Sequence, residues 1–205
     1  MGIILEDDCL PSQSFFLFSQ ELLGKYKDDE RIMQVSGDCF MDDLDIKESY
    51  YFSQYCHIWG WATWKRAWNL YELENKNFES DFTKLKFNSI QEKKYWHKTF
   101  KDYFAGNINT WDYPWVFTVW KNNGLSIYPK INMVKNIGCG IPDSTHILKP
   151  DSRIEKMKAV DIDSNITHPH EVVTNPEFDR LNFKVNYTSN STIIRIIEKI
   201  KNLIN

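Results

Sequence analysis

The chain has 205 residues, a formal net charge of −3 and 42% hydrophobic residues. This length is sufficient for one domain with a real hydrophobic core. The charges are nearly balanced and form no long tract of one sign, so nothing in them points to nucleic acid or to an anionic membrane as a partner. We therefore expect one globular domain that binds no nucleic acid.

The aromatic residues and the cysteines give further indications of the ligand and of the cellular compartment. The chain has 8 Trp, 10 Tyr and 13 Phe, and several of them lie in polar stretches where a core does not require them and where they could serve as stacking faces for sugar rings. Its cysteines are scattered without a C-x-x-C pair, which predicts reduced thiols in a cytoplasmic protein rather than a zinc site or a disulfide framework. They are Cys9, Cys39, Cys56 and Cys139.

An acidic triplet follows the first apolar run. Ile3 to Leu5 end abruptly in Glu6, Asp7 and Asp8. The pattern predicts a buried strand that emerges at the edge of a sheet, where ligand sites of open α/β sheets lie. Adjacent carboxylates repel one another unless a cation, hydrogen bonds or water compensate them. The triplet therefore indicates a divalent metal, and a solvated strand end is the alternative.

A helix and a second strand are predicted next. Pro11 is a suitable residue for the start of a helix, and apolar side chains then recur on one helical face. These are Phe15, Phe18, Leu22, Leu23 and Tyr26. Ile32 to Gly37 has the composition of a short strand that ends in glycine. The acidic run from Asp42 to Asp45 is typical of a solvated loop.

A tryptophan-rich segment comes after a predicted strand at residues 49–53. Helical spacing would place Trp61 and two later tryptophans on one stripe, with Trp59 and Gly60 before that helix. A glycine between two indoles indicates a turn and a close approach of the backbone to a ligand. An ordinary turn with buried tryptophans is the alternative.

Two further helices are predicted in the middle of the chain, after a weakly patterned loop or broken helix at residues 69–88. Ser89 and Glu92 form a capping-box pattern, and the helix they start has an aromatic face. The other helix begins at Pro114, so Asp112 lies just before its N-terminus. The helix dipole keeps a carboxylate ionised there, which suits both a structural cap and a functional group.

The remaining pattern is two short strands and two less regular segments. Residues 125–128 and the surroundings of Met133 favour strands, and a loop rich in glycine leads from Asn136 to His146. His146 could bind a metal or a diphosphate, and a flexible surface loop is the alternative. Residues 191–205 have the spacing of an amphipathic helix that docks on the domain, on a partner or on a membrane surface.

The order of these motifs resembles the GT-A glycosyltransferases, and most closely the bacterial nucleotide-diphospho-sugar transferases described as hemolytic-protein-like. The motifs are the acidic triplet, Trp-Gly-Trp at 59–61, Trp-Asp-x-x-Trp at 111–115, and the segment from Asn136 and Gly138 to Thr145 and His146. The resemblance implies an α/β fold with a mixed sheet and flanking helices. It also implies inverting transfer of a sugar from a nucleotide-sugar to a glycan or lipid-linked acceptor.

The resemblance also implies residue roles. Asp8 would hold Mn²⁺ or Mg²⁺, with His146 as a second metal ligand. Asp112 would be the general base, since Trp-Asp-x-x-Trp is similar to the segment that carries the base in transferases of the N-acetylglucosaminyltransferase I type. The substrate side of the site would include Glu6, Asp7, Trp59, Gly60, Trp61 and Trp111.

One feature departs from the resembled family, in which the acidic motif lies midway along the enzyme, after a nucleotide-binding half. The position of the triplet here leads us to expect residues 1–185 to be an incomplete GT-A catalytic domain and residues 186–205 to be a tail. The first strand would then have an unpaired apolar edge, which predicts self-association and weak nucleotide binding. A non-catalytic fragment that binds carbohydrate or a protein partner is the alternative function. A location at the inner face of the membrane would suit a lipid-linked acceptor.

Overall fold

The computed structural model describes residues 1–41, 44–138, 154 and 156–188. These residues form a mixed α/β fold, as predicted. The strands are β1 (Gly2–Ile4), β2 (Cys9–Pro11), β3 (Ile32–Ser36), β4 (Tyr50–Ser53), β5 (Trp61–Thr63), β6 (Leu125–Pro129) and β7 (Val134–Asn136). The helices are α1 (Gln13–Lys25), α2 (Lys65–Trp68), α3 (Phe78–Phe82), α4 (Ile90–Phe104), α5 (Asp112–Lys121) and α6 (Pro176–Phe183), and a π-helical turn covers Lys184–Thr188.

The main sheet has five strands in the order β1-β5-β3-β6-β4. β3 and β6 are parallel, and the other neighbouring strands are antiparallel. β2 and β7 form a separate antiparallel ribbon in which Cys9 lies opposite Asn136. This ribbon ties the start of the chain to the segment that follows the last strand of the sheet.

Two hydrophobic clusters pack around the central strand β3. Ile32 and Val35 belong to the cluster that contains the buried face of α1. Met33 belongs to the cluster that contains the buried residues of α4 and α5. Ile32 and Val35 share a cluster although they are three positions apart, because β3 has a register shift between Ile32 and Gln34. The sheet thus lies between α1 on one side and α4 and α5 on the other.

The predicted apolar face of α1 is confirmed, since Phe15, Phe18 and Leu22 are fully buried. The helix begins at Gln13, two residues after the predicted start at Pro11. Pro11 is the last residue of β2, and Ser12 is the N-cap of α1. Pairing with β7 decides the conformation of Pro11, and a pattern of local residues does not reveal a partner that lies so far along the chain.

The predicted capping box at the start of α4 forms in part. Ser89 Oγ accepts a hydrogen bond of 3.0 Å from the amide of Glu92. The Glu92 carboxylate is buried and accepts hydrogen bonds from Gln54 Nε2 at 2.9 Å, from the Tyr55 hydroxyl and from the Asn88 amide. The side chain therefore links α4 to the end of β4 as well as to its own helix start.

Trp61 lies on a strand and not on the predicted helical stripe. β5 pairs with β1 and β3 on its two sides, and only the short helix α2 follows it. Trp64 stands at the N-cap of α2, and its Nε1 donates a hydrogen bond of 3.0 Å to the Leu23 carbonyl. The helical spacing of the tryptophans is thus coincidental, because the two flanking strands determine the extended backbone.

Packing continues at the C-terminal end of the described chain. Asn175 caps α6 by accepting a hydrogen bond of 3.0 Å from the amide of Glu177. Tyr187 stacks on Tyr55 at a ring distance of 5.7 Å, so aromatic contacts cross the domain end predicted at residue 185. His146 and the predicted amphipathic helix at 191–205 lie outside the described residues.

Asp179 of α6 holds this C-terminal segment against the end of β4. Its Oδ1 accepts a hydrogen bond of 2.5 Å from Ser53 Oγ, and Oδ2 accepts one of 3.4 Å from the Gln54 amide. The side chain is 2% exposed. Burial, together with the nearby charge of Glu92, raises the pKa of the carboxyl group from 3.8 to about 7, although the hydrogen bonds from Ser53 and Gln54 act in the opposite direction.

This raised pKa predicts a pH-dependent stability. The folded chain holds the Asp179 proton up to about pH 7, whereas the unfolded chain releases it near 3.8, so the free energy of unfolding falls as the pH rises between these values. Asp179→Asn removes this titration and should flatten the slope by up to about 1.4 kcal/mol per pH unit. Urea unfolding at several pH values measures it. Asp163→Asn, on an exposed residue, should keep the wild-type slope, and equal slopes for all three proteins would contradict the assignment.

The outer edge of β1 has no neighbouring strand among the described residues. The side chains on this edge are apolar, and Ile3 and Leu5 are 37% and 38% exposed. Protein edge strands are usually protected by charged residues or proline, because free backbone groups there pair readily with another strand. This edge has neither form of protection within β1.

We expect self-association through this edge, so Ile3→Lys should shift the chain toward a monomer by placing a charge beside the free backbone groups. Sedimentation velocity across a concentration series measures the change. Leu17→Lys is the matched control, because Leu17 is 63% exposed on α1 and borders no free strand. A wild-type protein that stays monomeric at high concentration would show that the edge is not an association site.

Candidate functional site

The acidic triplet and the cysteine after it form a compact group of possible metal ligands. Residues 5–8 turn between β1 and β2, with the Cys9 amide donating a hydrogen bond of 3.1 Å to the Glu6 carbonyl. Glu6, Asp8 and Cys9 each offer one ligand atom, and these three atoms lie within 4.8 Å of one another. Asp7 is exposed and is not part of this group.

Asp8 is held in place by the ribbon partner strand. Its Oδ2 accepts a hydrogen bond of 3.1 Å from Asn136 Nδ2, and its backbone carbonyl accepts one of 2.8 Å from the Ile137 amide. Asn136 Oδ1 in turn accepts a hydrogen bond of 2.8 Å from the Gly138 amide. The structure thus joins Asp8 to the segment of Asn136 and Gly138, a contact that sequence analysis did not predict.

Gly138 leaves the space in which the Asp8 carboxylate lies. A Cβ atom at Gly138 would stand 2.3 Å from Asp8 Oδ2, far inside van der Waals contact. A side chain at this position would therefore push the carboxylate away from its bond with Asn136. The glycine is required by this contact rather than by its backbone conformation.

Cys9 is the third potential ligand, and the sequence pattern assigned it no role beyond a reduced thiol. Its Sγ lies 3.5 Å from Asp8 Oδ1, toward which the thiol donates a hydrogen bond. Burial, together with the negative charges of Asp8 and Glu6, raises the pKa of the thiol to about 12. The thiol is therefore protonated next to two carboxylates, and loss of its proton would require a nearby cation.

The donor set fits a divalent cation. Two carboxylates suit Mn²⁺ or Mg²⁺, whereas a thiolate suits softer ions. Asp8 is oriented by a hydrogen bond from Asn136, as metal-binding carboxylates usually are by a second layer of residues. The predicted second ligand His146 lies outside the described residues, so the described part of the site consists of Glu6, Asp8 and Cys9.

The turn at Trp59 and Gly60 is packed against side chains of the protein itself. Gly60 has a φ of +71°, and a Cβ there would lie 2.7 Å from Val134 Cγ2. The close neighbour of this glycine is thus the Val134 side chain of β7, and the approach of a ligand to Gly60 stays a prediction. Trp59 is half-buried against Phe40, with ring centroids 5.0 Å apart.

An aromatic groove lies beside β1 on the side of α2. It has a volume of about 670 Å³. Its walls include Gly2 and Ile4 of β1 and the rings of Trp61, Trp68, Tyr71 and Trp111. Trp68 stacks on Tyr71 at 4.5 Å, and Trp111 stacks on Trp61 at 5.7 Å. Trp61 is 2% exposed and belongs mainly to the core, whereas Trp68 is 40% exposed.

Asp112 is the first residue of α5, two residues earlier than the predicted helix start. Its Oδ1 accepts a hydrogen bond of 2.8 Å from the Tyr113 amide and another from the Thr110 hydroxyl. Oδ2 accepts none from the described residues. The preceding Trp111 lines the aromatic groove, so Asp112 stands next to that groove.

Contacts through the sheet connect Asp112 with the acidic group of Glu6 and Asp8. Trp111 stacks on Trp61, and Trp61 pairs with Ile4 across β5 and β1. Glu6 follows Ile4 by two positions. The structure thus places Asp112 and the acidic group at opposite ends of one run of packed residues, with no direct bond between them among the described residues.

A buried pair, Asp38 and His57, was missed by sequence analysis. Asp38 is fully buried at the end of β3, and neither of its oxygens has a hydrogen-bond partner of normal geometry in the described part of the chain. His57 Nδ1 lies 3.9 Å from Asp38 Oδ2, while His57 Nε2 is 3.1 Å from Asn182 Oδ1. The sequence feature that could have indicated this pair is an aspartate directly after Gly37, close to the end of a predicted strand.

Burial decides the charge of this pair. It raises the pKa of Asp38 well above its usual value, and the charge of Glu6 raises it further, while the backbone amides of Asp38 and Trp59 offset only part of the effect. Burial also lowers the pKa of His57 to about 4, against a rise from the hydrogen bond with Asn182. Burial therefore favours the uncharged form of both the Asp38 carboxyl group and the His57 imidazole.

Comparison with protein-family models gives no match for this sequence, and comparison with curated proteins gives no significant relative. In the part of the chain that the structure describes, no helix is long and apolar enough to span a bilayer.

The contact between Gly138 and Asp8 generates a test of the acidic group. We expect Gly138→Ala to weaken Mn²⁺ binding about tenfold, because second-layer changes at metal sites have effects of this size. Isothermal titration calorimetry with MnCl₂ measures it, and circular dichroism checks the fold. Gly24→Ala is the control, since a Cβ at Gly24 on α1 meets nothing within 4 Å and should leave Mn²⁺ affinity unchanged. Equal affinities in both variants would show that Asp8 does not bind the ion.

Proposed function

We propose that this chain performs metal-dependent, inverting transfer of a sugar from a nucleotide-sugar to a glycan or lipid-linked acceptor, on a fold of the GT-A type. The observation that carries the proposal is the hydrogen bond between Asp8 and Asn136, which are separated by 128 positions. Both segments belong to the series of motifs that resembles glycosyltransferases, and the hydrogen bond brings them together at one place in the fold. A solvated strand end would have no need of such a partner.

The acidic group is the proposed metal centre. Asp8 and Glu6 would hold Mn²⁺ or Mg²⁺, with Cys9 adjacent. A divalent cation bound there supplies positive charge for the leaving diphosphate of the donor. Asn136 keeps the Asp8 carboxylate oriented before the ion arrives, which reduces the cost of ordering the site.

Asp112 is the proposed general base. Its Oδ1 is fixed by the Tyr113 amide and the Thr110 hydroxyl, and its Oδ2 remains to accept a proton from an acceptor hydroxyl. The acceptor oxygen then attacks the anomeric carbon, the bond from that carbon to the diphosphate oxygen breaks, and the configuration inverts. Asp112 lies in the first turn of α5, where the helix dipole is favourable for a negative charge.

The aromatic groove is the proposed acceptor surface. Trp68 and Tyr71 present stacked rings at its wall, and Trp111 connects it to Asp112. Pockets of several hundred Å³ with mostly apolar walls are typical of ligand sites. The same groove also favours the second candidate function, a non-catalytic carbohydrate-binding module, because its walls contain no carboxylate.

Activity measurements separate the two functions. We expect release of nucleoside diphosphate from some member of a nucleotide-sugar panel with Mn²⁺, a loss of at least about 100-fold for Asp112→Asn, and loss of Mn²⁺ dependence for Asp8→Asn. Asp28→Asn, on an exposed loop residue, is the control and should retain full activity. Unchanged turnover in both site variants would refute the residue roles. Sugar binding that persists in EDTA and in Asp8→Asn, without turnover, would establish the binding module instead.

A further inference from the structure

The outer face of α4 concentrates positive charge in a chain whose net charge is negative. Residues 84–101 contain six lysines, and Glu92, the only acidic residue among them, is buried. Lys94, Lys98 and Lys101 are exposed and recur at helical spacing on one side of α4. Ile90 lies on the same side and is 76% exposed. We call these four residues the lysine face.

Most of this charge is not neutralised within the described chain. Lys98 pairs with Asp102, and Lys84 pairs with Asp81 at 2.9 Å. The remaining four lysines, Lys86, Lys93, Lys94 and Lys101, have no ion-pair partner among the residues that the structure describes. Glu79 of α3 contacts α4 through His97, whose Nε2 lies 2.9 Å from the Glu79 carboxylate.

The arrangement is unfavourable for the helix by itself. Lys94 and Lys98 are four positions apart, a spacing at which like charges destabilise a helix. Lys93 and Lys94 also lie near the N-terminus of α4, where the helix dipole disfavours positive charge. An anionic partner would offset both unfavourable effects.

We propose that the lysine face docks on an anionic phospholipid membrane. With Lys93, which is also exposed, α4 carries four lysines. This is the lower end of the range of about four to eight basic residues that on an amphipathic helix are the usual signature of such binding. Ile90 extends the face with an apolar side chain that can enter the headgroup region. The face contains no arginine and no exposed aromatic ring, the groups that nucleic-acid sites use for base contacts and stacking.

The segment after the described chain adds a sequence argument. Tyr187 packs on Tyr95 and Trp96 of α4, at ring distances of 5.5 Å and 4.9 Å. The sequence that follows, residues 191–205, has isoleucines at helical spacing with Arg195, Lys199 and Lys201 between them. A second basic and amphipathic segment therefore follows directly from residues that contact α4.

Vesicle cosedimentation tests the proposal with the full chain. We expect the wild type to bind phosphatidylcholine vesicles that contain about 30 mol% phosphatidylglycerol, which gives them a negative surface potential. It should bind pure phosphatidylcholine vesicles much less. The double variant Lys94→Gln/Lys101→Gln should lower the partition coefficient about 25-fold, or about fivefold per lysine. Ile90→Ser should lower it several-fold without changing its salt dependence.

The matched control is Lys25→Gln/Lys27→Gln, which removes the same charge from exposed positions at the end of α1. It should keep wild-type binding. Equal losses in the two double variants would mean that total charge and not the lysine face is responsible, and would overturn the proposal. Equal binding of the wild type to both vesicle types would overturn it as well, and so would tighter binding to duplex DNA than to anionic vesicles.

Discussion

Close packing of three backbone segments around Val134 is the constraint on which the rest of the structure depends. The Gly37 amide donates a hydrogen bond of 2.8 Å to the Gly60 carbonyl, and the Met133 amide donates one of 2.9 Å to the Gly37 carbonyl. A Cβ at Gly37 would lie 2.8 Å from Val134 Cγ2, and one at Gly60 would lie 2.7 Å from it. Only glycines allow the end of β3 and the start of β5 to come this close to β7.

This junction places the groups of the candidate site. It holds β7 beside the start of the chain, so Asn136 lies opposite Cys9 and bonds to Asp8. It also determines where Asp38 and Trp59 lie, because each is a direct neighbour of one of the two glycines. Charged groups on a rigid junction keep their geometry better than groups on isolated loops, which suits a site that must hold several carboxylates together.

The many aromatic residues serve mainly the core. Trp61, Trp96 and Trp115 are almost fully buried, and the Nε1 atoms of Trp61 and Trp96 have no hydrogen-bond partner in the described chain. Their number therefore does not by itself indicate sugar binding. The aromatic groove depends on a few rings, such as Trp68 and Tyr71, that remain accessible at the edge of this packed layer.

The sequence by itself determined the local features, namely the α/β class, the face of α1, the Ser89 cap of α4, and the strand from Ile32. These depend on neighbours within a few positions, whose spacing can be read directly. Only the tertiary structure decided that Trp61 is on a strand, that Cys9 joins Glu6 and Asp8, and that Asp38 is buried. The physical reason is that strand pairing and burial depend on residues far along the chain, as between Asp8 and Asn136. The net charge of the whole chain likewise did not reveal the lysines that lie together on one side of α4.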